Sequence, residues 1–136
     1  AVATGPGGFT GTRLSVVMAR TLAQQLGCPL LGVSSFALMA PRLAPDEQPF
    51  WITQPLPRRG VVAGQYRVRA AVVQELEAPH LLDADRIVSP AIEAAVDVDA
   101  DVEALLGRLR QALQRGEPLP WQPVLPIYPT SPVGPV

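Results

Sequence analysis

Apolar residues recur at steps of three and four over residues 12–26, a pattern typical of an amphipathic α-helix near the start of the chain. One face of this helix carries five of them: Leu14, Val17, Met18, Leu22 and Leu26. Gly27 and Pro29 follow directly and predict that the helix ends there.

The same spacing returns over residues 99–117 and predicts a second long helix. Its apolar face consists of Val102, Leu105, Leu106, Leu109 and Leu113. An aspartate, Asp99 or Asp101, is expected to cap its first turn, and Arg115 with Gly116 is expected to close its last turn.

Shorter apolar runs outside these two helices predict strands. The strand candidates are residues 1–4, 29–35, 49–53, 60–68 and 70–78. A short helix over residues 36–44 is expected to start at Ser34 or Ser35, with Pro41 interrupting it or ending it early. Helices and strands interleaved in this way predict an α/β domain. The proline-rich residues 118–136 are expected to run extended along the surface.

Composition narrows the class of protein. The chain has 136 residues, 48% of them apolar and 17% charged, which fits one globular domain. No apolar run is long enough to cross a membrane. The single cysteine, Cys28, is interpreted as a small hydrophobic residue in a cytoplasmic protein. Residues 1–45 hold three arginines and no acid, which suits an acidic partner surface but is too sparse for a nucleic-acid interface.

Two absences from the sequence exclude several kinds of active site. The chain has no lysine, which excludes a Walker-type phosphate loop and a Schiff-base mechanism. His80 is the only histidine, so a zinc site built on paired imidazoles is excluded as well. A Ser–His–Asp triad would require His80, which the neighbouring proline instead places in a solvated loop. We therefore predict no catalytic residue and no metal site.

A glycine loop precedes the first helix and has two interpretations. Gly5 and Gly7 fit the start of a dinucleotide-binding fingerprint, but Thr10 stands where its third glycine belongs. Free N–H groups at the helix start still favour an anion, with Gly5, Gly7, Gly8 and Thr10 as candidate phosphate ligands. The favoured interpretation is a sharp strand-to-helix turn, with Thr10 or Thr12 as the N-cap.

The stretch "GPGGFTGTRLSVVMARTLAQQLGCPLLGVSSFALMA", residues 5–40, resembles the TsaB (YeaZ) family of bacterial proteins, whose hallmark is a GPGSFTGLR-like loop, a helix and a "GVSSL"-like segment. "RRGVVAGQYRV" and "VLPIYPTSP" are similar to two later segments of that family. The resemblance implies a degenerate actin-like (ribonuclease H-like) α/β fold. Residues 1–45 would form the remainder of a first lobe, and residues 46–136 a trimmed second lobe with a proline-rich tail.

The resemblance also implies a role and a set of partners. It predicts a non-catalytic subunit that binds TsaD, the enzyme that forms threonylcarbamoyladenosine beside the tRNA anticodon. A TsaE-type ATPase belongs to the same complex, tRNA is contacted only indirectly, and no membrane is involved. The helix after the glycine loop would contact TsaD through Arg13, Leu14, Val17, Met18, Thr21 and Leu22.

One departure from the family bears on this role. Family members begin with three strands that have no counterpart here, so we expect an open sheet edge and association with TsaD or with a second copy. The alternative function is a small nucleotide-binding or nucleotide-hydrolysing domain that uses the loop over residues 5–10. No cofactor is expected beyond ATP or ADP at a shared interface.

Overall fold

The computed structural model describes residues 1–7 and 9–127, with Phe9 and Thr10 described by their backbone alone. The order of elements alternates helices and strands in the first part and is dominated by strands in the second. The elements are β1 (Val2–Ala3), α1 (Phe9–Leu26), β2 (Gly32–Val33), α2 (Ser35–Leu43), β3 (Phe50–Leu56), β4 (Gly60–Arg69), β5 (Val72–Leu81), β6 (Ala91–Glu93) and α3 (Val98–Gln114). The expected mixture of helices and strands is confirmed.

Two sheets organise these elements. β1 and β2 form a two-stranded parallel sheet, in which Val2 pairs with Gly32 and Ala3 with Val33. The second sheet is mixed and has the strand order β5-β4-β3-β6. In it β4 runs antiparallel to β3 and to β5, whereas β6 runs parallel to β3. The connection from β3 to β4 is a tight hairpin, as the sequence predicts, and Arg58 in its turn has a φ of 64°.

The structure confirms the predicted N-cap of α2 and contradicts the predicted N-caps of α1 and α3. Ser34 caps α2 as predicted, because its hydroxyl accepts a hydrogen bond from the Ala37 N–H at 3.1 Å. The prediction of Thr10 or Thr12 as the N-cap of α1 is wrong, since α1 begins at Phe9 and both threonines lie inside its first turn. The helix therefore starts three residues before its predicted boundary at residue 12.

The third helix also starts earlier than predicted. Its N-cap is Asp97, whose carboxylate accepts from the Ala100 N–H at 3.1 Å, so the expectation of Asp99 or Asp101 is wrong. Three aspartates alternate along this stretch and are equally suited to capping. The extended backbone at Asp97 decides between them, with φ −133° and ψ 100°. Arg115 closes α3 as predicted, with its backbone N–H bonded to the Gln111 carbonyl.

The larger of the two cores lies between α2 and the four-stranded sheet. Its largest fully buried side chains are Tyr66, Phe36, Phe50, Ile52 and Val62. A smaller cluster beneath α1 joins four buried residues from α1, β1 and the segment that precedes β2. They are Val2, Val16, Ala23 and Leu30. Cys28 lies at the junction between α1 and β2, as expected, and its side chain is exposed there. The prediction that His80 lies in a loop is wrong, because His80 belongs to β5.

Residues 118–127, which we call the C-terminal strap, leave α3 and return to the first two strands. The Leu30 N–H bonds to the Leu119 carbonyl at 2.9 Å, and the Ile127 N–H bonds to the Thr4 carbonyl at 2.8 Å. The strap therefore bonds to the segment before β2 at one end and to the residue after β1 at the other. The prediction of an extended segment is only partly right, because residues 121–123 form a turn in which the Val124 N–H bonds to the Trp121 carbonyl. Residues 128–136 of the predicted tail lie outside the described residues.

Candidate interaction site on helix α1

Helix α1 has an exposed apolar side, which is the reverse of the ordinary arrangement in a soluble domain. The five apolar residues that the sequence places on one face are between 51% and 72% exposed. The side that faces the sheet instead buries the smaller residues Val16 and Ala23. We call the exposed side, formed by Arg13, Leu14, Val17, Met18, Thr21, Leu22 and Leu26, the α1 outer face. Single exposed apolar residues are common on soluble proteins, but a contiguous row is typical of an interaction site.

Two polar residues complete the α1 outer face. Thr21 is exposed, and its hydroxyl donates to the Val17 carbonyl at 2.9 Å within the same helix. That internal bond satisfies the hydroxyl without a partner molecule. Arg13 is exposed at the edge of the face, and α1 contains no acidic residue. The surface thus combines an apolar centre with a positive edge, which is complementary to an apolar patch beside a carboxylate.

All six residues of the predicted partner interface therefore lie on the exposed part of one helix. Their contact with a partner remains a prediction, but the geometry that such a contact requires is present. The sequence pattern located the row correctly. What it could not decide was which side of α1 faces the sheet, because Val16, Ala19 and Ala23 form a second, smaller apolar side.

Gly5 and Gly7 lie in the connection between β1 and α1. Gly5 is buried and has a φ of +95°, a conformation that favours glycine. A Cβ at Gly5 would lie 3.2 Å from Thr12 Cγ2, and one at Gly7 would lie 3.1 Å from Thr12 Oγ1. The Gly5 carbonyl also accepts from the Ser35 N–H at 2.7 Å, which ties the loop to the start of α2.

The predicted phosphate ligands are only partly described. Gly8 and the side chain of Thr10 lie outside the described residues, whereas Pro6 and Gly7 line a cleft of about 620 Å³ between the loop, α2, β3 and α3. The cleft holds the carboxylates of Glu93 and Asp101 and, among the described lining residues, no basic side chain. Asp101 is paired with Arg42, whose Nη2 lies 2.8 Å from Asp101 Oδ1, so a phosphate in the cleft would meet Glu93 with no lining cation left to bind it. Phosphate binding at the loop stays a prediction that this lining does not favour.

His80 and Arg86 both contact the carboxylate of Glu77 at the surface. His80 Nε2 lies 3.2 Å from Glu77 Oε1, and Arg86 approaches the same carboxylate at 3.3 Å. Arg86 also lies over the Trp51 ring, 5.0 Å from its centroid. Within residues 1–7 and 9–127, no group of three or more histidine, cysteine, aspartate or glutamate side chains is placed to hold a metal ion.

A buried hydroxyl network joins α2 to the larger sheet and was not foreseen from the sequence. The Tyr66 hydroxyl donates to Glu75 Oε2 at 2.9 Å, and the Ser34 hydroxyl donates to the same oxygen at 2.9 Å. The two hydroxyl oxygens are 3.2 Å apart. Burial raises the pKa of Tyr66 well above its ordinary value, and the nearby charge of Glu75 acts in the same direction. Only the N-cap role of Ser34 was visible in the sequence.

Comparison with known proteins agrees with this architecture. The family model described as "TsaD: tRNA N6-adenosine threonylcarbamoyltransferase" matches residues 1–103, from β1 into α3. The chain belongs to this TsaD family. No curated protein matches the sequence. Within the described residues, no helix of this TsaD-family chain is long and apolar enough to span a membrane.

Two solved structures share the fold of this TsaD-family chain. YeaZ from Pseudomonas aeruginosa matches with a TM-score of 0.69 and 23% sequence identity, over 93% of this chain and 71% of that chain. The second structure is described as an uncharacterized protein with similarity to peptidase YEAZ from Pseudomonas aeruginosa. It matches with a TM-score of 0.70 and 22% identity, over 93% of this chain and 70% of that chain. The likeness confirms the predicted α/β fold of the actin-like, ribonuclease H-like class.

Proposed function

We propose that this chain is a non-catalytic scaffold subunit that binds a TsaD-type threonylcarbamoyltransferase. The observation that carries the proposal is the α1 outer face, an exposed apolar row on a helix that directly follows the glycine loop. Membership of the TsaD family and the YeaZ-like fold support a role in tRNA modification. In this proposal the chain contacts tRNA only through the complex, which a TsaE-type ATPase joins, in the cytoplasm.

The side chains offer little support for an independent catalytic role. The Nε2 of the single histidine, His80, lies 3.2 Å from Glu77 Oε1 on the surface of β5, and the sequence contains no lysine. The Ser34 hydroxyl, which would be the best-ordered nucleophile, already donates to Glu75 and accepts from the Ala37 N–H. These contacts hold the hydroxyl in a structural role at the start of α2.

The test is complex formation with the cognate TsaD-type subunit, measured by size exclusion with light scattering. Val17→Arg and Met18→Arg each place a charge in the centre of the α1 outer face and are expected to abolish co-elution. Ile87→Arg is the matched control, because Ile87 is 93% exposed on the loop between β5 and β6, away from α1. It is expected to bind like the unmodified chain.

The outcomes separate the candidate occupants of the face. Co-elution that both α1 variants lose and Ile87→Arg keeps supports the scaffold role. A homodimer of the chain alone that the same variants disrupt assigns the face to a second copy instead. If no complex forms with the unmodified chain, or if all three variants bind alike, the proposal fails.

A further inference from the structure

The C-terminal strap is attached to α1 through one side chain. Arg20 is half-buried two turns after Arg13, at the edge of the outer face, and its Nη1 approaches three strap carbonyl oxygens. The distances are 3.3 Å to Trp121, 2.8 Å to Gln122 and 2.6 Å to Val124. The guanidinium also lies over the Trp121 ring, with its Cζ 5.1 Å from the ring centroid. Convergent carbonyls and an aromatic face together make a site that suits arginine far better than lysine.

The strap in turn is held by the small sheet. Its two ends bond to the backbone of Leu30 and Thr4, and between them Val124 packs closely on Gly32. Trp121 and Val124 pack against the cluster of buried residues beneath α1. Arg20 therefore connects α1, through the strap, to both β1 and β2.

Few other contacts can fix the orientation of α1. Of its described side chains, only Val16 and Ala23 are buried, and neither is a long or aromatic residue. Such residues allow a close approach of helix to sheet but provide little shape to resist sliding or rotation. Over residues 11–26, where the side chains are described, the orientation of α1 therefore depends in part on polar anchors.

We infer that the C-terminal strap orients α1 for partner binding, with Arg20 as the positioning residue that joins the two. Arg20 does not belong to the α1 outer face, so its effect on a partner is transmitted through the placement of Leu14, Val17 and Met18. Apolar interfaces need close shape complementarity, and a shift of the helix separates those side chains from their pockets. The inference rests on the proposed function for the identity of the partner, a TsaD-type subunit.

The experiment compares four variants of the full chain by two measurements. Arg20→Met removes the carbonyl contacts and the ring contact together, whereas Trp121→Leu removes the ring contact and keeps the backbone carbonyls. Arg20→Lys keeps the charge, and Arg110→Met on the exposed side of α3 is the control. The first measurement is amide hydrogen exchange over residues 13–26 in the chain alone. The second is the Kd for the cognate TsaD-type subunit.

We expect Arg20→Met to exchange α1 amides about tenfold faster and to raise Kd about tenfold, while Arg110→Met changes neither. Trp121→Leu keeps the three carbonyl contacts of Arg20, so its effect on both measurements should be smaller. Arg20→Lys, which keeps the charge but loses the planar fork, should lie between the unmodified chain and Arg20→Met. Arg20→Lys also provides the decisive measurement if Arg20→Met does not fold.

Two results overturn the inference: unchanged α1 exchange in Arg20→Met, or faster exchange with an unchanged Kd. Failure of the proposed function is distinguishable from these. If the unmodified chain does not bind the TsaD-type subunit, the scaffold role fails. Hydrogen exchange in the chain alone then still decides whether Arg20 and the strap hold α1.

Discussion

Val16 and Val17 are adjacent in the sequence and lie on opposite sides of α1: the Val16 side chain is fully buried, whereas Val17 is 51% exposed. Val16 belongs to the cluster that α1 shares with β1 and the strap, and Val17 belongs to the α1 outer face. The same residue type thus serves packing at one position and is available for a partner at the next. This pair allows the two roles to be separated by the same substitution.

Alanine substitutions at the two valines should separate stability from binding. Val16→Ala removes two buried carbon atoms and is expected to lower the free energy of unfolding by about 1.5 kcal/mol. Val17→Ala should change it by less than about 0.5 kcal/mol, because the side chain is half exposed. Urea unfolding followed by circular dichroism measures both. Equal losses at the two positions would contradict the orientation of α1.

Gly32 should tolerate no side chain, because Val124 of the strap lies against it. A Cβ at Gly32 would be 2.8 Å from Val124 Cγ1 and 3.0 Å from Thr4 Cγ2, and both neighbours are β-branched and stiff. We expect Gly32→Ala to lower the free energy of unfolding by about 1–3 kcal/mol through overpacking.

Gly107 provides the control for that substitution. It lies inside α3 with nothing within 4 Å of a Cβ at that position. Gly107→Ala should therefore raise the free energy of unfolding by about 0.5–1 kcal/mol, since alanine is the better helix former. Thermal melts of the two variants should shift in opposite directions. A Gly32→Ala protein as stable as the unmodified chain would show that the strap does not pack on β2.

Tyr66 should make stability fall in alkaline solution. Burial raises the pKa of Tyr66 above its ordinary value of 10.0, so the folded protein keeps the hydroxyl neutral where the unfolded chain would ionise it. The contribution of Tyr66 to stability is complete below about pH 10 and is lost progressively as the pH rises above that value. The chain has no lysine, which removes the most common titrating group from this range.

The measurement is urea unfolding of the unmodified chain and of Tyr66→Phe between pH 8 and pH 11. The unmodified chain should lose stability above about pH 10, whereas Tyr66→Phe should show a weaker dependence. At pH 8 Tyr66→Phe should be less stable by about 1 kcal/mol, because the hydrogen bond to Glu75 is lost. Tyr128→Phe serves as the control for the second tyrosine. An identical pH dependence in Tyr66→Phe and the unmodified chain would refute the assignment.

Cys28 should react as an exposed thiol. It lies between α1 and β2 and is exposed, so a thiol reagent should modify one group per chain without denaturant. The expected rate is close to that of the urea-unfolded chain. Modification that requires unfolding would contradict the exposed position of Cys28.

Local chemistry in the sequence was sufficient for much of the fold. The 3.6-residue period located α1 and α3, Ser34 was correctly placed as a cap, and two prolines between apolar runs indicated the hairpin from β3 to β4. These features depend on residues close together in the chain, where backbone preference and side-chain capping act without tertiary contacts. The apolar row on α1 was recognised for the same reason.

Contacts between residues distant in the chain were not predictable in this way. Tyr66 and Glu75 meet Ser34 only because β4 and β5 pack beside α2, and Arg20 reaches carbonyl oxygens about a hundred residues later in the chain. Nothing in the local sequence distinguishes Asp97 from Asp99 and Asp101 as a cap, or His80 in a strand from His80 in a loop.

The sequence by itself determined the helices, the hairpin, the α/β class and the amphipathic character of α1, because each follows from the spacing of neighbouring residues. Only the tertiary structure decided which side of α1 became the outer face. The sheet accepts the side with Val16 and Ala23, since small residues permit the close approach that the strap and Arg20 then fix. The larger apolar side chains are left in solvent, and their exposure is the feature that a partner would remove.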